Sequence, residues 1–156
     1  MESKAKVVKL LNGLLTTELR AINQYFLDCK LASHWGLNGL ADEYRDASFE
    51  EMRDAEKLMD RILLLGGLPN LQRADPFAAG ETVPEQLRLA AQLEEKAVGQ
   101  LHAAITGAEE ASDPATALML REMLLGEEAQ LDWIEAQLGL IDRVGEANYL
   151  SQKINK

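Results

Sequence analysis

Residues 66–85, GGLPNLQRADPFAAGETVPE, interrupt a chain whose remaining sequence has a helical period almost throughout. Two glycines followed by Pro69 are typical of the end of a helix. Between Pro69 and Glu81 the apolar residues follow no helical spacing, which indicates an extended connection. The residues from Thr82 to Glu85 then have the pattern of a capping box with a proline in the first helical turn. The stretch therefore predicts one long connection between two helical halves.

On both sides of this connection, apolar residues recur every three or four positions. The interruptions within each half are short: WGLNG at 35–39, and SDP at 112–114, which is a typical helix cap. Short interruptions join helices that pack as antiparallel neighbours. We therefore predict an all-α fold in one domain spanning residues 1–156, a four-helix bundle with one long crossover and a short fifth C-terminal helix. The expected helices cover about 4–34, 40–65, 83–111, 114–143 and 146–153.

The composition limits the partners and compartments that we expect. The formal net charge is −10, and nucleic-acid binding requires a basic surface, so no nucleic-acid partner is expected. No segment reaches the ~20 consecutive apolar residues of a membrane span, so no membrane association is expected. A single cysteine, Cys29, cannot form a disulfide within the chain, which favours a reducing compartment. We predict a cytoplasmic protein whose acidic surface attracts cations.

A glutamate replaces an apolar residue near the middle of the apolar stripe of each long helix. The four positions are Glu18, Glu51, Glu94 and Glu127. In the second and fourth helices, a further polar residue follows three positions later, at Asp54 and Gln130. One such glutamate alone would ordinarily be a boundary residue whose carboxylate reaches water. Carboxylates are almost never buried without a partner, however, so their repetition in all four helices predicts a dinuclear metal site bridged by carboxylates.

Several longer stretches resemble bacterioferritin, the haem-binding branch of the ferritin family. They are ELRAINQYFL at 18–27, HWGL at 34–37, RILLLGGLPNLQ at 61–72, LDWIEAQLGLI at 131–141 and NYL at 148–150. The resemblance extends over nearly the whole chain. It implies a ferritin-like bundle, assembly of about two dozen copies into a cage, iron storage, and haem b shared between two subunits.

The resemblance also implies a set of metal ligands. In bacterioferritin each centre draws on a glutamate of the first helix, Glu-x-x-His of the second, a glutamate of the third and Glu-x-x-His of the fourth. The glutamates carry over to Glu18, Glu51, Glu94 and Glu127, but the two histidine positions hold Asp54 and Gln130. Asp54 adds a fifth carboxylate and Gln130 offers only a weak amide oxygen, whereas imidazole suits iron. We therefore predict a degenerate diiron centre with weak or absent iron binding, in which crowding raises some carboxylate pKa values.

A haem site is implied in the same way. Bacterioferritin binds haem through one methionine from each of two subunits, and Met52 stands at that position. Nearby residues of the first helix would line the same pocket, namely Leu19, Ile22, Asn23 and Phe26. Without the resemblance, Met52 would be interpreted as an ordinary core or interface methionine.

These features predict a bacterioferritin subunit for iron storage that binds haem b through Met52 and has a degenerate ferroxidase centre, with slow or absent oxidation of iron on its own. A second type of bacterioferritin subunit in the same cage would oxidise the iron. The haem would serve electron transfer to the stored mineral during iron release, with an electron-donor protein as reductant. Two alternatives stay open. The centre could still be a ferroxidase, with Asp54 as a serviceable ligand and water in place of Gln130, or the chain could be a metal-free helical shell or adaptor protein.

Overall fold

The computed structural model describes residues 2–155, which form five helices and, within that range, no β-strand. The helices are α1 (Glu2–His34), α2 (Asn38–Leu64), α3 (Val83–Glu110), α4 (Pro114–Val144) and α5 (Glu146–Ser151). α1 and α2 form one hairpin, α3 and α4 form another, and residues 65–82 connect the two hairpins. This arrangement confirms the predicted all-α four-helix bundle with one long crossover and a short C-terminal helix. None of the helices in this range is both long enough and apolar enough to cross a membrane.

Hydrogen bonds between side chains define the register of the long helices. Thr17 of α1 donates to Gln100 of α3 at 2.6 Å, and Tyr25 donates to Glu94 at 2.7 Å, so α1 and α3 are antiparallel. Between α1 and α2, the Ser48 hydroxyl donates to the carbonyl of Ile22 at 2.9 Å. The middles of these helices therefore lie at one level of the bundle.

The apolar core is divided into two clusters, one towards each end of the bundle. The first cluster includes the fully buried side chains of Tyr25, Leu40, Tyr44, Leu87 and Ile134. The second includes those of Leu11, Leu14, Leu58, Leu101 and Leu120. Burying one such side chain stabilises the fold by roughly 1.5–3 kcal/mol before conformational entropy is subtracted. Both clusters draw on all four long helices, so each one holds the whole bundle together.

Both predicted helix caps are present. The Thr82 hydroxyl accepts a hydrogen bond from the backbone N–H of Glu85 at 3.3 Å, and the Glu85 carboxylate accepts one from the N–H of Glu81 at 3.3 Å. At the start of α4, the Asp113 carboxylate accepts the N–H of Thr116 at 3.1 Å. These bonds satisfy N–H groups that the first turn of a helix leaves free, and they set where α3 and α4 begin.

The crossover is fastened to α1 at its beginning. The Asn12 side chain donates to the carbonyl of Leu68 at 3.2 Å and accepts from the N–H of Asn70 at 2.9 Å. The Asn70 side chain in turn accepts backbone N–H bonds from Gln72 and Arg73, each at 3.1 Å. A half-buried asparagine within α1 thus determines where the chain leaves the end of α2 and runs back along the bundle.

The C-terminal segment caps α2 from outside that helix. Among residues 2–155, no side chain caps the N-terminus of α2, and the backbone N–H groups of Gly39 and Leu40 donate instead to the carbonyl of Lys153, at 2.8 and 3.3 Å. The Lys153 ammonium is held by Glu43 at 2.9 Å and lies 5.4 Å from the centre of the Tyr149 ring. A Cβ atom added to Gly39 would stand only 2.5 Å from the backbone oxygen of Asn155. Glycine is therefore required at position 39 for the tail to reach its site.

We predict that Gly39→Ala displaces the C-terminal segment and lowers the free energy of unfolding by about 1–2 kcal/mol, because backbone atoms must move to admit the new methyl group. Gly99→Ala is the matched control, since a Cβ at that helical position meets nothing within 4 Å. The control should be neutral or slightly stabilising. Thermal unfolding and the rate of carboxypeptidase digestion measure both variants. Equal stability and equal digestion of the two would refute this account of the tail.

A buried carboxylate lies within the first apolar cluster, away from the mid-helix glutamates. Asp28 is 1% exposed, and its Oδ2 has no hydrogen-bond partner among the described residues. Burial raises the pKa of Asp28 from 3.8 to about 7. Within residues 2–155, the hydroxyl of Tyr44 is also buried without a partner, and burial together with the charge of Asp28 raises the pKa of that tyrosine. The folded chain therefore favours Asp28 in its protonated form.

A carboxyl group whose pKa is higher in the folded chain than in the unfolded chain stabilises the fold at low pH. This contribution is complete below the pKa of the unfolded chain and is lost as pH rises through the pKa of the folded chain. For Asp28 that window runs from about pH 4 to 7, and the loss is at most about 4 kcal/mol. We predict that Asp28→Asn removes this part of the pH dependence, so that the variant gains stability over the parent as pH rises from 5 to 8. The exposed Asp60→Asn serves as the control. Stability measured by thermal unfolding and plotted against pH should converge for the parent and Asp28→Asn at low pH. Parallel plots for the two proteins would contradict the prediction.

Candidate metal centre

Four buried glutamates form a layer between the two apolar clusters. They are Glu18, Glu51, Glu94 and Glu127, which are 1%, 4%, 1% and 2% exposed, respectively. On α1, the layer lies between Leu15 of the second cluster and Ala21 of the first. In each of the other three long helices, the glutamate likewise lies between a residue of one cluster and a residue of the other. Helical periodicity puts each carboxylate on the inward stripe, and the shared register of the helices brings the four to one level.

Three of these glutamates converge with Asp54 into one compact group. Glu18, Glu51, Asp54 and Glu127 each offer a carboxylate oxygen, and these four oxygens all lie within 4.8 Å of one another. Asp54 is the most exposed member, with a side chain 17% exposed, and its Oδ1 lies 4.0 Å from the ammonium of Lys57. Glu94 is not a member of this group. The structure therefore brings four of the six residues that the sequence indicated within this distance, while Glu94 adjoins the group through Glu127 and Gln130 lines the same cavity as Asp54.

Hydrogen-bond donors compensate only in part for the burial of the carboxylates in the layer. One oxygen of each of the four glutamates is buried without a hydrogen-bond partner within residues 2–155. An unsatisfied buried acceptor costs roughly 1–3 kcal/mol, and a charged one costs more. Such oxygens, aimed at one another in an apolar core, are suited to bind a cation or to share protons.

The pKa values of the centre are raised, as the sequence predicted. Burial is the main cause for Glu18, Glu51 and Glu127, and the negative charges of neighbouring carboxylates add to it. Burial also raises the pKa of Asp54, and the ammonium of Lys57 opposes that rise. Without a cation, the folded chain therefore holds protons in this layer at neutral pH.

A hydrogen-bonded chain occupies the other side of the layer. The Gln130 side chain donates from Nε2 to the hydroxyl of Tyr25 at 3.2 Å, and Tyr25 donates to Oε1 of Glu94 at 2.7 Å. Tyr25 is 1% exposed. Helical periodicity indicates only that Tyr25 lies on the apolar stripe of the first helix, and its role as a donor emerges from the structure. The available signal was its position two turns after Glu18 on the same face.

A cavity of about 300 Å³ leads from the surface to the layer between α2 and α4. Its walls include Glu51, Asp54 and Lys57 from α2 and Glu122, Glu127 and Gln130 from α4. Both positions at which this chain departs from the bacterioferritin ligand set therefore face the same opening. A cation can reach the layer by this route.

The residues indicated for haem lie on a different surface of the bundle. Met52 is 42% exposed and Phe26 is 52% exposed, Asn23 is also exposed, and Leu19 and Ile22 are half-buried. The Ser48–Ile22 hydrogen bond puts the adjacent turn of α2 level with these residues of α1. That turn also carries Phe49, which is 43% exposed and has the guanidinium of Arg45 5.2 Å from its ring centre. We call this surface the α1–α2 outer face: Leu19, Ile22, Asn23, Phe26, Phe49 and Met52.

Comparison with known proteins agrees with the geometry. The ferritin-like domain family matches residues 8–144. The chain is 41% identical to bacterioferritin BfrA of Mycobacterium tuberculosis H37Rv, over 100% of this chain and 98% of that protein. It is 42% identical to bacterioferritin of Streptomyces coelicolor, over 100% of this chain and 93% of that protein. Bacterioferritin of Brucella melitensis is 36% identical over 96% of this chain and 92% of that protein. The chain belongs to the bacterioferritin family of ferritin-like proteins.

Proposed function

We propose that this protein is a subunit of a cytoplasmic bacterioferritin cage for iron storage, with haem b bound between two subunits through Met52 and a degenerate ferroxidase centre. One observation carries the proposal. The four glutamates of the family's centre are buried in one layer, yet both histidine positions hold oxygen ligands, Asp54 and Gln130. In such a cage, oxidation of the substrate iron relies on a second type of bacterioferritin subunit with intact Glu-x-x-His motifs.

The chemistry of the two substituted positions supports a degenerate centre. Two ferrous ions bring four positive charges, which four carboxylates and two neutral imidazoles would balance. Asp54 makes a fifth carboxylate, and its charge is already partly compensated by Lys57 at 4.0 Å. Gln130 uses its N–H to donate to Tyr25, so only its amide oxygen could face a metal. This ligand set lacks the imidazole nitrogen that favours iron over harder ions.

The α1–α2 outer face fits a haem shared with a second copy of the chain. An exposed methionine thioether beside exposed phenylalanine rings is unusual for a surface that faces water, and it suits a flat apolar macrocycle. Met52 would hold the iron of haem b, and Leu19, Ile22, Phe26 and Phe49 would contact the ring, with Asn23 at its polar edge. When bound, haem b supplies one-electron transfer, which suits iron release with an electron-donor protein as reductant.

One observation favours the alternative that the centre is an active ferroxidase. Asp54 lies within the compact group of oxygens and lines the cavity, so it can act as a ligand from the position where the family has histidine. In that case water would take the place of Gln130. Oxidation measurements on the homopolymer distinguish the two functions.

We predict that Met52→Leu abolishes haem binding and leaves the assembly intact, because leucine keeps the volume and removes the sulfur ligand. The parent should bind about one haem per pair of subunits. Met59→Leu is the matched control, since Met59 is on the same helix and packs against the second apolar cluster. Visible spectra after haem addition, together with size-exclusion chromatography, measure the outcome. A parent that takes up no haem, or a Met52→Leu variant that binds it normally, would overturn the haem assignment and favour a metal-free shell.

We predict that the double change Asp54→His with Gln130→His restores rapid oxidation of Fe(II) by oxygen, by roughly tenfold or more over the parent. It removes the surplus carboxylate and supplies two nitrogen donors. The Tyr25 hydroxyl accepts a hydrogen bond from Gln130 at 3.2 Å. It is therefore positioned to accept one from the ring N–H of a histidine at position 130. Either single change should gain much less, because two irons must be held together.

Stopped-flow absorbance on the homopolymer measures these rates for the parent, both single variants and the double variant. A parent that already oxidises two irons per subunit as fast as the double variant would establish Asp54 and Gln130 as competent ligands. Such a result would replace the degenerate centre with an active ferroxidase.

A further inference from the structure

Building on the degenerate centre proposed above, we propose that the carboxylate layer binds a single hard divalent cation, of the Mg²⁺, Mn²⁺ and Ca²⁺ class, on its Asp54 side. The ligands are Glu18 from α1, Glu51 and Asp54 from α2, and Glu127 from α4. In this chain, a site for one ion that prefers oxygen ligands has therefore replaced the site for two irons.

The spacing of the four oxygens is that of one coordination sphere. Hard divalent cations hold oxygen ligands at about 2.0–2.6 Å, so ligands on opposite sides of one ion are about 4–5 Å apart. The oxygens of Glu18, Glu51, Asp54 and Glu127 all lie within 4.8 Å of one another. One ion can therefore contact all four without movement of the helices.

Unpartnered buried oxygens form a second, independent observation. Glu18, Glu51 and Glu127 are 1%, 4% and 2% exposed, and the Oε2 atom of each has no hydrogen-bond partner in the described part of the chain. These atoms belong to three of the four proposed ligands. Among residues 2–155, only Lys57 supplies an ion pair to this group, at 4.0 Å from Asp54, and its side chain is 58% exposed. Lys57 can therefore move into water when a cation arrives.

The position for a second ion offers poorer ligands. Glu94 lies outside the compact group, and its Oε1 accepts the Tyr25 hydroxyl at 2.7 Å. Gln130 donates to the same hydroxyl at 3.2 Å. An ion between Glu94 and Gln130 would find the unpartnered Oε2 of Glu94 and otherwise only a weak amide oxygen. The two halves of the layer are thus unequal, and a single ion is favoured.

The chemistry of the ligands selects the class of ion. All four donors are carboxylates, and neither nitrogen nor sulfur is available in the group, so hard ions are preferred to those that seek softer ligands. The cavity of about 300 Å³ between α2 and α4 reaches this group. It has room for the water molecules that complete the coordination of Mg²⁺ and Mn²⁺.

Manganese alone is the probe for the test. The homopolymer is stripped of metal with a chelator and titrated with Mn²⁺ in moderate salt, with equilibrium dialysis for stoichiometry and electron paramagnetic resonance for spin coupling. We expect one tightly bound Mn²⁺ per subunit with an uncoupled spectrum, displaced by Mg²⁺ or Ca²⁺. Two spin-coupled manganese ions per subunit, or no tight site, would overturn the proposal.

Three variants of α2 assign the site. Asp54→Asn should weaken Mn²⁺ binding by tenfold or more, because it removes one charged ligand. Lys57→Gln should tighten binding severalfold, because it removes a positive charge beside the ion. Glu56→Gln, on an exposed position outside the group, removes one negative charge and should change the affinity little. If Glu56→Gln weakens binding as much as Asp54→Asn, the ion is held by the general surface charge and the proposal fails.

Haem titration of the same preparations separates this proposal from the proposed function. Haem binding that depends on Met52, together with no tight Mn²⁺ site, would refute the single-cation site alone. Loss of both would refute the proposed function as well. Because the opposite effects of Asp54→Asn and Lys57→Gln are both required, a variant that merely destabilises the fold cannot imitate the expected result.

Discussion

A layer of buried carboxylates is the constraint on which the rest of this structure depends. Placing four glutamates in the middle of a helical core costs desolvation free energy and repulsion between like charges. The bundle tolerates that cost because an apolar cluster on each side of the layer holds all four long helices. The register of the helices, the position of the crossover and the caps at Thr82 and Asp113 all keep the layer at one level. Which ions the layer can bind follows from the charges and hydrogen bonds that offset the burial of each carboxylate.

The charges and hydrogen bonds that offset the burial of the carboxylates differ between the two sides of the layer. This difference follows from two residues. On one side Asp54 adds a carboxylate at the mouth of the cavity, with Lys57 beside it. On the other side Gln130 is joined to Glu94 through Tyr25. A carboxylate attracts a cation, whereas the amide of Gln130 donates to a hydroxyl and joins a hydrogen-bonded chain that ends on Glu94. Replacing two imidazoles by these two groups would therefore change more than the strength of iron binding, because it leaves the two halves of the layer with unequal ligands.

The second helix carries both the centre and the α1–α2 outer face, yet the two surfaces share no side chain. Glu51 is buried in the layer and its neighbour Met52 is exposed on the outer face. Successive residues of a helix point about 100° apart, so adjacent positions can serve separate functions. A chain of this family can thus lose the nitrogen ligands of its centre without disturbing the outer face, which we propose meets a second copy. The proposed division of labour within a mixed cage rests on this independence.

The sequence by itself determined the helices, the crossover, both caps and the inward position of the four glutamates, because periodicity and capping are local properties of the chain. Only the tertiary structure decided that Tyr25 joins Glu94 to Gln130, and that the carbonyl of Lys153 caps the start of α2. The same holds for the grouping of Asp54 with three glutamates and for the place of Phe49 on the outer face. These contacts join residues far apart in the chain. They depend on the rotation and register of packed helices, which no local pattern of residues specifies.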